Sequence, residues 1–210
     1  MRYLRILLTA SAFVALAACS AGPTDSQEMP VDTQVPAVTG SVQPTASDAT
    51  GQAGLEEREP MELTSSAFNE GDPIPTEFSC DGDDVSPPLS CENAPEGTES
   101  FALVMDDPDA PSGTFDHWLL YNIPADKRSL NAGVASEEEL VDGSRHGRNS
   151  FGNLAYGGPC PPGETHRYNF RLYALDQELQ LEPGASKAQL MEAMDSHILA
   201  QAELQGTYSR

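Results

Sequence analysis

Two segments lie far apart in the chain, one rich in Pro and one rich in Pro and Gly, and each adjoins a run of strand-forming residues that carries a histidine. Residues 106–111 read Asp-Asp-Pro-Asp-Ala-Pro and precede His117, and residues 156–163 read Tyr-Gly-Gly-Pro-Cys-Pro-Pro-Gly and precede His166. Proline and glycine at this density favour turns and exclude helix or regular strand. If the two loops meet, carboxylates, imidazoles and backbone N–H groups converge on one small polar pocket.

The strands flanking these loops indicate the fold class. Strands are predicted over residues 62–68, over the apolar run 100–105, over 117–123, where Pro124 stops the run, and over 167–175. The last segment alternates with period two, which is typical of a strand with one face in a core. That face carries Tyr168, Phe170, Leu172 and Ala174. The pattern predicts a mainly β protein, an antiparallel β-sandwich with few helices.

One of those helices is predicted near the C-terminus. Ser186 and Gln189 have the spacing of a capping box. Leu190, Met194 and Ile198 then recur every four residues, which predicts one amphipathic helix that packs on the sheets.

The N-terminal segment predicts the compartment. Arg2 and Arg5 precede an apolar run over residues 6–15 that is too short to span a bilayer. Residues 16–19 then read Leu-Ala-Ala-Cys, which fits a bacterial lipobox, although an ordinary secretory signal with a chance cysteine is the alternative. We therefore predict a signal peptide over residues 1–18 and a lipid anchor on Cys19. Ser20 after it favours the outer membrane, facing the periplasm.

Composition separates the rest of the chain into a linker and one domain. Residues 19–60 are rich in Pro, Thr, Ser, Ala and acidic residues and contain no aromatic residue, so they cannot bury enough surface to offset their ordering entropy. Residues 61–210 suit one domain with one core. The net charge of −22 argues against nucleic acid as a partner, because nucleic acid rewards clustered Lys and Arg.

Apart from Cys19, the chain has three cysteines, Cys80, Cys91 and Cys160. In an oxidising compartment, one disulfide and one free thiol are therefore expected. A Cys80–Cys160 bridge is favoured because it would tie the turn after Cys80 to the loop that borders the expected pocket. A local Cys80–Cys91 bridge is the alternative.

Several motifs in the same order identify a resemblance. The chain resembles the phosphatidylethanolamine-binding protein family, in particular its bacterial Raf-kinase-inhibitor-like branch, from about Met61 to the C-terminus. The motifs are Phe-Ser-Cys-Asp-Gly at 78–82, Ser-Pro-Pro-Leu-Ser at 86–90, Asp-Pro-Asp-Ala-Pro at 107–111, His-Trp at 117–118, Asn-Ser-Phe-Gly at 149–152, residues 156–170 and Gly-Thr-Tyr at 206–208. Cys91 departs from the branch, where Trp is common.

The resemblance implies a β-sandwich with a small anion-binding pocket at one end. Carried over by position, the pocket would be lined by Asp107, Asp109, His117, Gly158, Pro159, His166 and Tyr168. Imidazole N–H groups and Gly-loop amides would donate to phosphate oxygens, and a carboxylate would orient an imidazole or accept from an ammonium group. The implied partner is a small anionic or phosphoethanolamine-like ligand, and a homodimer is also implied.

A binding role without catalysis, metal or cofactor is therefore the leading hypothesis. Two alternatives stay open: a protease or kinase inhibitor-like interaction protein, and a metal-assisted envelope hydrolase, since two His and two Asp match a metal centre in residue type. No protein partner can be named. His146, in a polar loop, is predicted to be solvated, and His197 is predicted to lie on the closing helix.

Overall fold

The computed structural model of the protein describes residues 59–210. The predicted signal peptide, the predicted lipidation site Cys19 and almost all of the predicted linker lie outside the described residues. Within residues 59–210, no helix combines the length and the hydrophobicity needed to cross a bilayer.

The described chain is mainly antiparallel β, as predicted. The strands are β1 Glu62–Thr64, β2 Leu89–Glu92, β3 Ser100–Asp107, β4 Phe115–Pro124, β5 Ser129–Leu130, β6 Arg145–His146, β7 His166–Leu175 and β8 Ile198–Tyr208. A 3-10 helix spans Thr76–Phe78, and one α-helix, α1, spans Lys187–Met194.

The strands form two open sheets. A three-stranded sheet has the order β1-β2-β5, and a five-stranded sheet has the order β6-β4-β3-β7-β8. The predicted face of β7 lies in the core between them, where Tyr168, Phe170 and Leu172 pack with residues of the three-stranded sheet. β1 ends at Thr64, four residues before the predicted strand end. The chain leaves the strand at Ser65, whose hydroxyl donates to the Pro88 carbonyl.

A second apolar layer covers the other face of the five-stranded sheet. Leu190 and Met194 of α1 are buried there against Val104, Leu119 and neighbouring side chains. The predicted capping box is present at the start of α1, where Ser186 Oγ accepts from the Gln189 backbone N–H and Gln189 Oε1 accepts from the Ser186 backbone N–H.

The helix is shorter than its apolar periodicity suggests. It ends at Met194, and Ser196 adopts a left-handed conformation with φ 69° that turns the chain into β8. Ile198, predicted as the last apolar position of the helix, is instead the first residue of β8, and His197 precedes that strand. His146, predicted to be solvated, is fully buried in β6, where it pairs with Leu120 of β4.

Candidate functional site

The end of β3 and the beginnings of β4 and β7 meet at one edge of the five-stranded sheet. β3 pairs antiparallel with both neighbours, and Asp107 at its end lies opposite Phe115 of β4. His117 is two residues further along β4, and His166 is the first residue of β7. The antiparallel order therefore brings Asp107, His117 and His166 together, although they are distant in the sequence.

Asp107 is buried and uses both carboxylate oxygens within the protein. His166 Nδ1 donates to Asp107 Oδ2 at 2.7 Å, and the backbone N–H of Asp109 donates to Asp107 Oδ1 at 2.8 Å. The carboxylate therefore fixes the orientation of the His166 ring and the first turn of the loop after β3.

His117 is held by the loop at residues 156–163, the Gly-rich loop. Its Nδ1 donates to the carbonyl of Gly157 at 2.7 Å, and its ring packs edge-on against the ring of Tyr168, with centroids 5.2 Å apart. Burial lowers the pKa of His117 below its ordinary value, although the carbonyls of Gly157 and Gly158 and the charge of Asp107 oppose this shift. The ring is consequently neutral at pH 7.

A pocket of about 330 Å³ opens between the two loops. Three of the predicted site residues line it, namely Asp107, His117 and His166. Phe115 of β4 and Phe151 also line the pocket. The loop after β3 contributes Ala110, Pro111 and Ser112, and the loop at residues 156–163 contributes Cys160, Pro161 and Pro162.

Asp109 lies beside this pocket, and its carboxylate is directed at Arg167. It accepts from the Arg167 guanidinium at 2.9 and 2.6 Å and from the Arg167 backbone N–H at 2.9 Å. These bonds lower the pKa of Asp109 to about 2, so the carboxylate stays ionised. The ion pair joins the loop after β3 to the start of β7.

Gly158 and Pro159 hold the Gly-rich loop against the segment around Cys80. The Gly158 N–H donates to Asp84 Oδ1 at 2.7 Å, and the Pro159 carbonyl accepts from the Cys80 N–H at 3.1 Å. A Cβ on residue 158 would lie only 2.5 Å from the Phe78 carbonyl oxygen, so the close approach requires glycine.

A disulfide reinforces this contact. Cys80 and Cys160 are joined, which is the pairing favoured from the sequence, and Cys91 is free and buried. Because Cys160 also lines the pocket, the bridge anchors one wall of the pocket to the segment that follows the 3-10 helix.

Tyr168 lies behind His117 rather than on the pocket wall. The side chain is fully buried, and within residues 59–210 its hydroxyl has no hydrogen-bond partner. Burial and the nearby charge of Asp107 raise the pKa of Tyr168, so the phenol is neutral.

Two aromatic residues that line the pocket, Phe115 and Phe151, were not predicted to bind a ligand. The rings of Phe115 and Phe151 meet edge-to-face with centroids 4.7 Å apart, and Phe151 also meets His117 edge-to-face at 5.4 Å. Phe151 is 47% exposed although its ring borders the pocket. The Asn-Ser-Phe-Gly motif was the available signal, but its loop has no periodicity from which to infer an orientation.

The chemistry of the pocket combines a polar base with an apolar rim. His117 and His166 occupy the base, and the lining side chains include neither Lys nor Arg. In the part of the chain that the structure describes, no three His, Cys, Asp or Glu side chains are grouped so that they could hold a metal ion.

Comparison with known proteins identifies the family of this chain. The model of the family described as phosphatidylethanolamine-binding protein matches residues 64–209. The chain belongs to the phosphatidylethanolamine-binding protein family. Among its relatives, a UPF0098 protein of Methanothermobacter thermautotrophicus is 51% identical over 150 residues, which are 71% of this chain and 99% of that protein. A UPF0098 protein of Aquifex aeolicus is 48% identical over 71% of this chain and 89% of its own length.

Solved structures of family members have the same fold. A structure described as that of a putative phosphatidylethanolamine-binding protein homolog from Chlamydia trachomatis matches with a TM-score of 0.67 and 43% identity, over 72% of this chain and 98% of that one. E. coli YbcL, described as a member of the mammalian family, matches with a TM-score of 0.67 and 31% identity over 72% of this chain and 99% of its own. The protein is therefore a member of a family of binding proteins.

Proposed function

We propose that the protein binds a small anionic ligand, such as phosphate or a phosphoethanolamine head group, in the pocket between His117 and His166. One observation carries the proposal: the Nδ1 atom of each ring is already hydrogen-bonded to the protein, which leaves Nε2 of each ring for a ligand. Two fixed ring nitrogens at the base of a pocket of about 330 Å³ suit a compact group with several oxygen atoms.

The surroundings of these rings support binding through a prearranged site. Asp107 and the Gly157 carbonyl fix the two rings before any ligand arrives, so little side-chain entropy is lost on binding. The disulfide and the Asp109–Arg167 pair fix the two loops in the same way. Family membership and this rigid pocket support a modulating role rather than catalysis.

His166→Asn tests the proposal. An asparagine amide can take the place of Nδ1–H and keep the bond to Asp107, but it has nothing at the position of Nε2. We expect the affinity for inorganic phosphate, measured by isothermal titration calorimetry on the full chain in detergent, to fall about ten-fold or more.

A matched control is available in a second His–Asp pair. His197 Nδ1 contacts Asp176 Oδ1 at 2.9 Å, and neither residue lines the pocket. His197→Asn should leave phosphate binding unchanged. Equal losses in the two variants, or no phosphate binding by the unmodified chain, would refute the proposal.

We also propose that the protein acts at the bacterial cell envelope, anchored through lipid on Cys19. The lipobox at residues 16–19 supports this location. Cys19→Ala should abolish incorporation of labelled palmitate and release the protein from the membrane fraction, whereas an unchanged distribution would contradict the anchor. The implied homodimer stays a prediction.

A further inference from the structure

The hydrogen-bond partner of His117 decides which of its ring nitrogens carries the proton. The Gly157 carbonyl can only accept a hydrogen bond, so Nδ1 must donate and therefore holds the proton of the neutral ring. Nε2 of the neutral ring then has a lone pair and no hydrogen. At this position the pocket offers a ligand an acceptor, not a donor.

Among the described residues, no Lys or Arg lines the pocket beside His117, so neither residue type supplies a positive charge there. Asp107 faces it from β3, Asp116 lies beside it on β4, and Tyr168 and His166 face it from β7. The carbonyls of Gly157 and Gly158 face it from the Gly-rich loop. Burial has the largest effect on this ring and lowers its pKa, so the neutral form with a bare Nε2 predominates at pH 7.

An anion with no hydrogen of its own therefore meets a lone pair at Nε2 of His117. A phosphodiester monoanion is such a ligand. A phosphomonoester monoanion has the same charge but carries one acidic O–H, which can donate to that lone pair. The lining contains no Lys or Arg that could compensate for the difference.

We propose, on the basis of the anion-binding function above, that the pocket selects anions that carry an acidic O–H, and that it prefers a phosphomonoester to a phosphodiester of equal charge. The monoester places its P–O–H hydrogen on Nε2 of His117 as a hydrogen bond. The diester binds only with uptake of one proton from solvent, which converts the His117 ring to an imidazolium that donates from Nε2. In each complex one hydrogen lies between Nε2 and a phosphate oxygen.

Methyl phosphate and dimethyl phosphate are suitable probes. The experiment is calorimetry of the full chain in detergent at about pH 6, where roughly half of a phosphomonoester carries its second proton. Two buffers of different ionisation enthalpy give the number of protons taken up. We expect methyl phosphate to bind about ten-fold more tightly than dimethyl phosphate. We expect methyl phosphate to take up about half a proton and dimethyl phosphate to take up more.

His117→Gln isolates the role of Nε2. The glutamine amide can present an N–H donor near the position of Nε2 at any pH. This variant should bind the two esters with affinities within about two-fold of each other, and its affinity for dimethyl phosphate should depend less on pH than that of the unmodified chain. His146→Gln is the matched control, because His146 is fully buried outside the pocket, and it should keep the preference.

The possible failures are distinguishable. Equal binding of both esters without proton uptake would overturn this inference and leave the anion-binding function intact. Failure of inorganic phosphate and of both esters to bind would overturn the proposed function itself. If His117→Gln does not fold, as judged by its thermal unfolding, the proton count of the unmodified chain decides the question.

Discussion

The carboxylates of Asp107 and Asp109 bond to other groups of the protein. Both oxygens of Asp107 accept hydrogen bonds from protein groups, and the Asp109 carboxylate is paired with Arg167. An aspartate near proline in a sequence fits a turn-forming role and a ligand role equally well. In the structure Asp107 lines the pocket and also forms the turn. The turn-forming role and the pocket position therefore do not exclude each other.

At the residue scale, Phe151 should determine how the pocket treats the substituent on its anion. The ring stands beside His117 at the rim and is half-exposed, so an aromatic group on a bound anion would bury it further. Phe151→Ala should lower the affinity for phenyl phosphate about five-fold, because burial of this apolar surface is lost. Affinity for inorganic phosphate should change less than about two-fold, because no contact at the base is removed.

Calorimetry with both probes gives the comparison. A matched control is Phe68→Ala, since Phe68 is buried in the core against Phe170 and does not line the pocket. It should reduce stability without changing the ratio of the two affinities. If Phe151→Ala weakens both probes equally, the ring positions His117 and does not contact the substituent.

The sequence predicted the base of the pocket better than its rim. His117 and His166 could be found because each is near a Pro/Gly loop and at the start of a recognisable strand. The position of Phe151 depends on tertiary bonds, since the Ser150 N–H donates to the Asp116 carbonyl and the Ser150 hydroxyl accepts from the Asp116 N–H. Hydrogen bonds between residues that are distant in the sequence leave no local sequence pattern.

At the scale of elements, the end of β3 connects the pocket to helix α1. Successive strand residues face opposite sides of a sheet, so Asp107 points towards the pocket and Asp106 towards the helix layer. Buried Asp106 accepts from Arg171 and from Lys187, each at 2.7 Å, and Lys187 also donates to Asp116 at 2.8 Å. Burial opposes the charge of Lys187, but these hydrogen bonds outweigh it and raise the pKa of the ammonium group.

Lys187→Met should destabilise the domain through its partners. Asp106 is 2% exposed and would keep Arg171 alone as a charged partner, while Asp116 would lose its ammonium partner. We expect the free energy of unfolding in urea to fall by about 2 kcal/mol, less than for a fully buried pair because Arg171 remains.

Lys127→Met supplies the comparison for this prediction. Lys127 pairs with Asp142 at the surface, where both side chains are more than a quarter exposed. Its loss should cost less than about 0.5 kcal/mol. Similar values for the two variants would show that the Asp106 cluster contributes no more than a surface ion pair.

Strands with one buried face were easier to predict than the end of the helix. The alternation in β7 predicted its core face correctly, because the two faces of this strand pack against two different apolar layers. The four-residue spacing from Leu190 to Ile198 continued past the true helix end, because the positive φ of Ser196 is a local conformation that no apolar pattern encodes. Because the apolar spacing assigned Ile198 to the helix, the sequence did not indicate that strand β8 begins there.

At the scale of the whole molecule, net charge opposes the proposed ligand. The chain carries −22, and the pocket must bind an anion through local contacts against this field. The Debye length is about 30 Å at about 0.01 M salt and about 8 Å at about 0.15 M, so added salt screens distant carboxylates while leaving contacts within the pocket almost intact.

The affinity for inorganic phosphate should therefore rise with ionic strength. Between about 0.01 and 0.15 M potassium chloride we expect an increase of about two- to five-fold, the reverse of the usual effect of salt on binding between opposite charges. Calorimetry at fixed pH measures the trend, and a chloride titration at constant ionic strength corrects for competition by chloride. A fall in phosphate affinity would mean that positive charge inside the pocket, rather than the distant carboxylates, determines the potential there.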